Sequence, residues 1–151
     1  MTRSVLLVYH SQSGACAALA RAAGEGLAAS GIEAFSARAE DVGAAQVASC
    51  DGLVLVAAEN SGRLAGGMKD FLDRVFYPLI RREDVKPYAL LISAGNDGRG
   101  ACDEVQRILR GIPFTEAMEP QIIRGLPASD ELRKVKETAE AFGTGLEMGI
   151  F

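Results

Sequence analysis

Three short stretches of the chain are apolar at nearly every position, namely residues 5–8, 53–57 and 88–93. Continuous apolar runs of this length are typical of strands that are covered on both faces, as the central strands of parallel sheets are. A weaker run over residues 32–36 predicts a strand near a sheet edge. A fifth strand is expected within residues 114–124, most clearly over residues 121–123.

Between these strands, apolar side chains recur at the spacing of helices that bury one face. Leu19, Ala23 and Leu27 form such a stripe within residues 15–30, and Gly31 follows where a helix would end. A helix from Met68 onward is expected to end or kink at Pro78. The other helices are predicted from a cap at Asp41 to about residue 49, from Ala101 to Gly111 and Pro113, and from a cap at Ser129 or Asp130 to about Leu146.

The alternation of strands and helices predicts parallel strands that are joined by right-handed crossovers. The expected fold class is therefore α/β, a doubly wound three-layer sandwich with a five-stranded parallel sheet, and residues 1–151 are expected to form a single domain. One strand order of such sheets is 2-1-3-4-5. In this order, the loops after strands 1, 3 and 4 meet at the carboxyl edge, where open α/β sheets bind ligands. These three loops are expected to form one site.

The first of these loops has the properties of an anion site. Ser11 and Ser13 offer hydroxyl groups, Gly14 allows a tight turn, and the following helix would direct free backbone N–H groups at a ligand. The loop lacks the Gly-Lys-Ser/Thr ending of a Walker motif, and Gly14 stands alone rather than in a G-x-G-x-x-G pattern. A phosphate group is therefore expected here, but ATP, GTP and NAD bound in the Rossmann manner are poor candidates.

Charge and composition remove several function classes. The net charge of −4 and the isoelectric point near 5.1 argue against nucleic-acid binding, which needs a concentrated positive surface. Because no membrane-spanning run or leader pattern is visible, we expect a cytoplasmic protein with no membrane partner. Three cysteines without metal-ligand spacing and a lone histidine predict neither a disulfide framework nor a metal site.

Residues 8–16, Val-Tyr-His-Ser-Gln-Ser-Gly-Ala-Cys, resemble the phosphate loop of the flavodoxin family, written S-x-T-G-x-T, which binds the 5′-phosphate of FMN. Ser11, Ser13 and Gly14 occupy matching positions. Cys16 replaces the usual hydroxyl residue and offers only a weak S–H donor. The resemblance runs over nearly the whole chain and implies a flavodoxin-like fold with FMN as cofactor.

Residues 58–73 are similar to the segment P-E-Y-N-G-S-x-P-G-x-L-K-N-x-L-D of the NAD(P)H-dependent FMN reductases in the same superfamily. Residues 93–100 resemble the stretch that lines the other side of the flavin ring in these proteins. The two likenesses and the phosphate loop together imply the following cofactor-binding residues: Ser11, Gln12, Ser13, Gly14, Ala15, Cys16, Ala58, Glu59, Asn60, Ser61, Gly62, Arg63, Ala94, Gly95, Asn96, Asp97 and Gly98.

The chain departs from the family in its aromatic residues. Asn60 stands where the reductases have a tyrosine that packs on the ring, and Ala58 and Ala65 replace two prolines. Electron-carrier flavodoxins typically hold the ring between a Trp and a Tyr, but neither ring loop of this chain contains such a residue. This leaves two alternatives open: an exposed ring on which a nicotinamide or a quinone can stack, or weak flavin binding.

Several side chains near the loops have more than one possible role. Cys16 is either a redox-sensitive thiol with a lowered pKa or a small packing residue. His10 has no identifiable orienting carboxylate, so no catalytic side chain is expected and FMN carries the chemistry. Arg63 is a candidate for binding a flavin carbonyl or a nicotinamide phosphate, Asp97 for binding the ring edge, and Glu59 for lowering the reduction potential through its charge.

The leading hypothesis is an FMN-binding oxidoreductase that passes electrons from NAD(P)H through FMN to a quinone or another small acceptor. The alternatives are an electron-transfer protein reduced by a separate reductase, and a cofactor-free binding module. A response-regulator receiver shares the strand order, but it needs an aspartate where this chain has Ala57 and Ala58. A homodimer is expected by resemblance alone, and the choice between NADH and NADPH stays open.

Overall fold

The computed structural model describes residues 2–151. Its strands are β1 (Ser4–Tyr9), β2 (Glu33–Arg38), β3 (Gly52–Asn60), β4 (Arg63–Leu64), β5 (Pro87–Ala94), β6 (Thr115–Glu116) and β7 (Gln121–Arg124). Its α-helices are α1 (Ala15–Ser30), α2 (Ala44–Ala48), α3 (Gly66–Arg82), α4 (Arg99–Gly111) and α5 (Ser129–Glu147), with a 3-10 helix over Ala39–Asp41. Within the described residues, no helix has both the length and the apolar character needed to cross a bilayer.

The parallel strands follow the predicted order. β2, β1, β3 and β5 are neighbours in that order, and both β6 and β7 pair with the outer edge of β5. The predicted fifth strand is thus present as two pieces, and the sheet has seven strands rather than five because β4 also pairs antiparallel with β3. The α/β fold class and the parallel order 2-1-3-4-5 are confirmed.

The interruption between β6 and β7 is a bulge at the sheet edge. The chain advances from residue 116 to 121 while its partner β5 advances only from residue 88 to 91. Pro120 lies in this interval and has no N–H to donate to a ladder. At the opposite edge, β2 is largely exposed along its length, as its weak apolar character predicts.

Helices cover both faces of the sheet and explain the continuous apolar runs. On one face of the sheet, Leu6, Val8 and the side chains of the neighbouring strands that point the same way pack against α3 and α4. Phe71 and Leu109 are among the helix residues of this cluster. On the other face, Leu7 and its counterparts pack against α1 and α5. Because alternate residues of each central strand enter different cores, the middle of these strands is apolar, and the side chains of Glu59, Asn60 and Ser93 lie at the carboxyl ends.

Three predicted helix boundaries need correction. Asp41 does not cap α2, because it belongs to the 3-10 helix and Gln46 Oε1 accepts the Gly43 N–H at 2.8 Å at the start of α2. α5 begins at Ser129 itself, and its preceding Ala128 N–H donates to Glu131 Oε1 at 3.1 Å. Pro78 does not end α3, which continues to Arg82 with Val75 and Leu79 buried on either side of the proline.

Candidate functional site

Two adjoining cavities open at the carboxyl ends of the central strands, where the strand order reverses. The smaller cavity has a volume of about 90 Å³, and the larger one has a volume of about 300 Å³. Both are lined by Ser13, Ala15, Ala58, Asn60 and Ser93. The loops that follow β1, β3 and β5 therefore meet at one place, as their position after parallel strands predicts.

Most residues of the first loop, residues 11–16, line the smaller cavity, and the loop leads into the N-terminus of α1. Gly14 has φ 98°, in the left-handed region, and its N–H donates to Ser11 Oγ at 3.1 Å. The first hydrogen bond of α1 runs from the Ala18 N–H to the Gly14 carbonyl at 3.0 Å. The amides of residues 15–17 thus have no acceptor within the helix. Together with the polar side chains of residues 11–13, which line the cavity, they form a neutral cradle for an anion.

Cys16 is buried beneath this loop, with 2% of its surface exposed. Burial raises the pKa of its thiol to about 11, and the side-chain hydrogen bond with Ser93 opposes this rise only in part. The thiol is therefore protonated at neutral pH. The hypothesis of a lowered pKa is wrong, because desolvation outweighs the attraction between a thiolate and the helix N-terminus.

His10 lies at the end of β1 and lines the smaller cavity. Its main-chain N–H donates to the Val56 carbonyl at 3.3 Å. A Cβ atom on Gly67 would overlap the imidazole, so the ring lies directly against the backbone at the start of α3. Among the described residues, nothing forms a hydrogen bond with the buried Nε2 atom.

The second loop is a hairpin rather than an irregular segment. β3 extends to Asn60, which pairs with Arg63 of β4, and the Ala65 N–H donates to the Ala58 carbonyl at 2.9 Å. Ser61 and Gly62 form the turn with φ 52° and 77°, both in the left-handed region. Two consecutive left-handed residues are typical of the tight turns that join antiparallel strands. The segment that follows the buried part of β3 is therefore ordered by the pairing of β3 with β4.

The hairpin is held against the N-terminus of α4. Glu59 Oε1 accepts the Gly98 N–H at 3.3 Å, and Glu59 Oε2 accepts the Ala101 N–H at 3.2 Å. Since Gly98 has no side chain with which to cap the helix, the carboxylate of Glu59 performs that role from the neighbouring strand. A Cβ atom on Gly100 would overlap the Gly62 carbonyl, so the turn lies in direct contact with α4.

Arg63 is directed to α4 rather than to the cavities. Its side chain is 80% exposed and its Nε lies 3.9 Å from Glu104 Oε1. The same carboxylate accepts the Leu64 N–H at 3.2 Å. Arg63 therefore lies outside the lining of both cavities, and the structure lends no support to a contact between its side chain and a ligand.

The third loop contributes mainly backbone. Ala94 and Gly95 line the larger cavity, whereas Asn96 and Asp97 are exposed and Asp97 Oδ1 accepts the Arg99 N–H at 3.1 Å. Of the predicted site residues, those that line a cavity are Ser11, Gln12, Ser13, Ala15, Cys16, Ala58, Glu59, Asn60, Ala94 and Gly95. Those outside both linings are Gly14, Ser61, Gly62, Arg63, Asn96, Asp97 and Gly98.

Five lining residues were absent from the predicted cofactor-binding set: His10, Ala65 and Ser93, and Gly125 and Leu126 after β7. Ser93 lies at the end of a central strand, which is the expected place for a polar contact. Leu126 is 86% exposed at the rim of the larger cavity. The parallel order already places the loop after the fifth strand beside the loop after the fourth, so this signal was available in the sequence.

No protein-family model and no curated protein matches the chain. Solved structures do. A flavodoxin from the domain Archaea has a TM-score of 0.80 at 18% identity, over 93% of this chain and 96% of that one. The two-electron reduced flavodoxin of Megasphaera elsdenii has a TM-score of 0.76 at 24% identity, over 91% of this chain and 98% of that one. A WrbA-like flavodoxin from Agrobacterium tumefaciens has a TM-score of 0.82 at 12% identity, over 98% of this chain and 99% of that one. The fold is therefore flavodoxin-like.

Proposed function

We propose that this chain binds FMN in the two adjoining cavities and acts in electron transfer. The observation that carries the proposal is a small polar cavity at the N-terminus of α1 that joins a larger cavity at the strand-order reversal. A phosphate group matches the smaller cavity, and a flat ring system matches the larger one. The similar solved structures named above are flavodoxins, which supports a flavin as the ligand.

The residues present fit both ends of FMN. The free amides of residues 15–17 and the hydroxyls of Ser11 and Ser13 would hold the phosphate. Ala58, Ala94 and Leu126 offer apolar surface to the ring. Bound FMN supplies one-electron and two-electron redox chemistry, while the chain binds it, orients it and limits its contact with water.

A ligand titration tests this proposal. We expect FMN to raise the melting temperature of the purified protein and to lose its fluorescence on binding. Riboflavin, which has the same ring without the phosphate, is the matched control and should bind at least tenfold more weakly, by about 1.4 kcal/mol. A wild-type protein that carries no flavin absorbance and shows no response to FMN would overturn the proposal and would favour a cofactor-free binding module.

We also propose NAD(P)H as the electron donor and a quinone or another small molecule as the acceptor. The supporting observation is that the described residues lining the two cavities include no Phe, Tyr or Trp, so a ring bound there has no aromatic cover. A nicotinamide therefore has room to stack. Anaerobic mixing of the FMN-loaded protein with NADH or NADPH alone should bleach the flavin. Bleaching that requires a separate reductase would instead support a flavodoxin-like carrier.

A further inference from the structure

The smaller cavity contains few side chains that can carry a charge. Among the described residues that line it, His10 is the only one whose side chain can carry a positive charge; the others are serines, alanines, Gln12, Asn60 and Cys16. The lining also contains no Asp or Glu. An anion in this cavity would otherwise meet only neutral donors.

The imidazole of His10 is held in a defined position. Its main chain is fixed by the hydrogen bond to Val56, and its ring lies against the backbone of Gly67, where any larger residue would displace it. Its Nε2 atom is buried and has no partner among the described residues. Buried polar atoms normally have a hydrogen-bond partner. Because His10 is one of the residues that line the cavity, an oxygen of a ligand that reaches Nε2 would supply the missing partner.

The first loop also lacks one of the donors that its sequence pattern would supply. Cys16 stands in the last position of the pattern, and its thiol is a weak donor that already interacts with Ser93. A second strong donor from outside the loop would compensate for this loss.

We propose that His10 Nε2–H donates a hydrogen bond to the phosphate of the bound ligand, and that His10 is thereby the residue that favours phosphorylated over unphosphorylated ligands. This inference rests on the proposed function, because it assigns a residue to the phosphate end of the same site. His10 acts here by binding and not as a catalytic residue.

Nuclear magnetic resonance tests the contact directly, because His10 is the only histidine of the chain and its imidazole gives one unambiguous set of signals. The wild-type protein is titrated with FMN, with riboflavin and with inorganic phosphate. Sodium chloride at matched ionic strength is the control. We expect FMN and inorganic phosphate to shift the Nε2 resonance, and riboflavin and sodium chloride to leave it in place.

Two variants supply an independent measurement. His10→Phe keeps a flat ring against Gly67 but removes the donor, and it should weaken FMN binding about tenfold while riboflavin binding stays unchanged. His10→Gln restores an N–H group and should recover part of the FMN affinity. The melting temperature of unliganded His10→Phe should equal or exceed that of the wild type, because the replaced nitrogen has no partner to lose.

The possible outcomes separate the inference from the proposed function. Equal shifts with riboflavin and FMN would place the contact away from the phosphate and overturn the inference. So would FMN binding that leaves the imidazole signals and the His10→Phe affinity unchanged. If the wild type binds no flavin, the proposed function fails, and inorganic phosphate then decides: a shift of Nε2 supports His10 as an anion ligand, and no shift overturns it.

Discussion

The first loop and the hairpin of residues 58–65 both follow a buried parallel strand, and both are rich in small and polar residues. They differ in the direction of their polar groups. The hairpin uses its carboxylate and its turn to contact α4 through Glu59 and Gly62. The first loop has one such internal contact, from the Gly14 N–H to Ser11, and leaves the next three amides free.

The comparison separates two kinds of loop at one edge of the sheet. A loop whose polar groups find partners within the chain contributes to stability, whereas a loop whose polar groups stay unpaired is available to a ligand. Substitutions in the hairpin should therefore change the free energy of unfolding, and substitutions in the first loop should change ligand affinity.

The largest effect is expected for Gly100→Ala. The new Cβ atom would overlap the Gly62 carbonyl and push the hairpin away from α4, which should lower the free energy of unfolding by about 3 kcal/mol. Urea denaturation measures this value. Gly24→Ala is the matched control, because nothing lies near its Cβ position in α1, and it should stabilise the protein by about 0.5–1 kcal/mol. Equal behaviour of the two variants would contradict the docking of the hairpin on α4.

The next effect is expected for Glu59→Ala, which leaves the Gly98 and Ala101 N–H groups without their acceptor. The free energy of unfolding should fall by about 2 kcal/mol, because hydrogen bonds to a charged group are lost. Glu59→Gln keeps one acceptor oxygen and should cost less. Glu119→Ala, at an exposed position, should change stability by no more than about 0.5 kcal/mol. If Glu59→Ala lowered the free energy of unfolding no more than Glu119→Ala does, the helix-capping role of Glu59 would be contradicted.

A smaller effect of a different kind is expected for Ser13→Ala in the first loop. The exposed Ser13 side chain lines both cavities, so its removal should weaken FMN binding about tenfold, or about 1.4 kcal/mol, with little change in stability. Isothermal titration and urea denaturation of the same samples check both values. Ser36→Ala on β2 is the control and should alter neither. A large loss of stability in Ser13→Ala would show that the two loops do not differ as proposed.

The smallest effect concerns Cys16 and appears only at alkaline pH. Its folded pKa of about 11 lies above the ordinary value of 9.0, so its contribution to stability is complete below pH 9 and is lost as the pH rises toward 11. At about pH 10 the loss should be about 1 kcal/mol. Cys16→Ala should lack this component, whereas the contributions of Tyr88 and Cys102, whose pKa values are also raised, remain in both proteins. Parallel stability curves for the two proteins would contradict the buried, neutral thiol.

The sequence predicts the sheet well because its signals are local and continuous. The apolar runs identify the central strands, and their alternation with helices predicts the parallel pairing that the structure shows. The edge character of β2 also follows from composition alone.

There is a physical reason why the hairpin could not be predicted from the sequence. Its form depends on acceptors and donors that lie about forty residues apart in the chain, between Glu59 and the amides of Gly98 and Ala101. A carboxylate near the end of a strand looks the same in sequence whether it faces a ligand or caps a helix. The misplaced cap at Asp41 has a similar cause, since Gln46 supplies the acceptor from within the following helix.

The two edges of the sheet have different consequences for association between chains. β2 offers an uninterrupted outer edge of six residues, whereas the opposite edge is divided by the bulge that contains Pro120 into strands of two and four residues. An added strand needs a run of unpaired backbone groups in constant register, and only β2 provides one. Growth of the sheet by strand addition is thus directed to one side, and the charged ends of β2, Glu33 and Arg38, are the side chains positioned to oppose it.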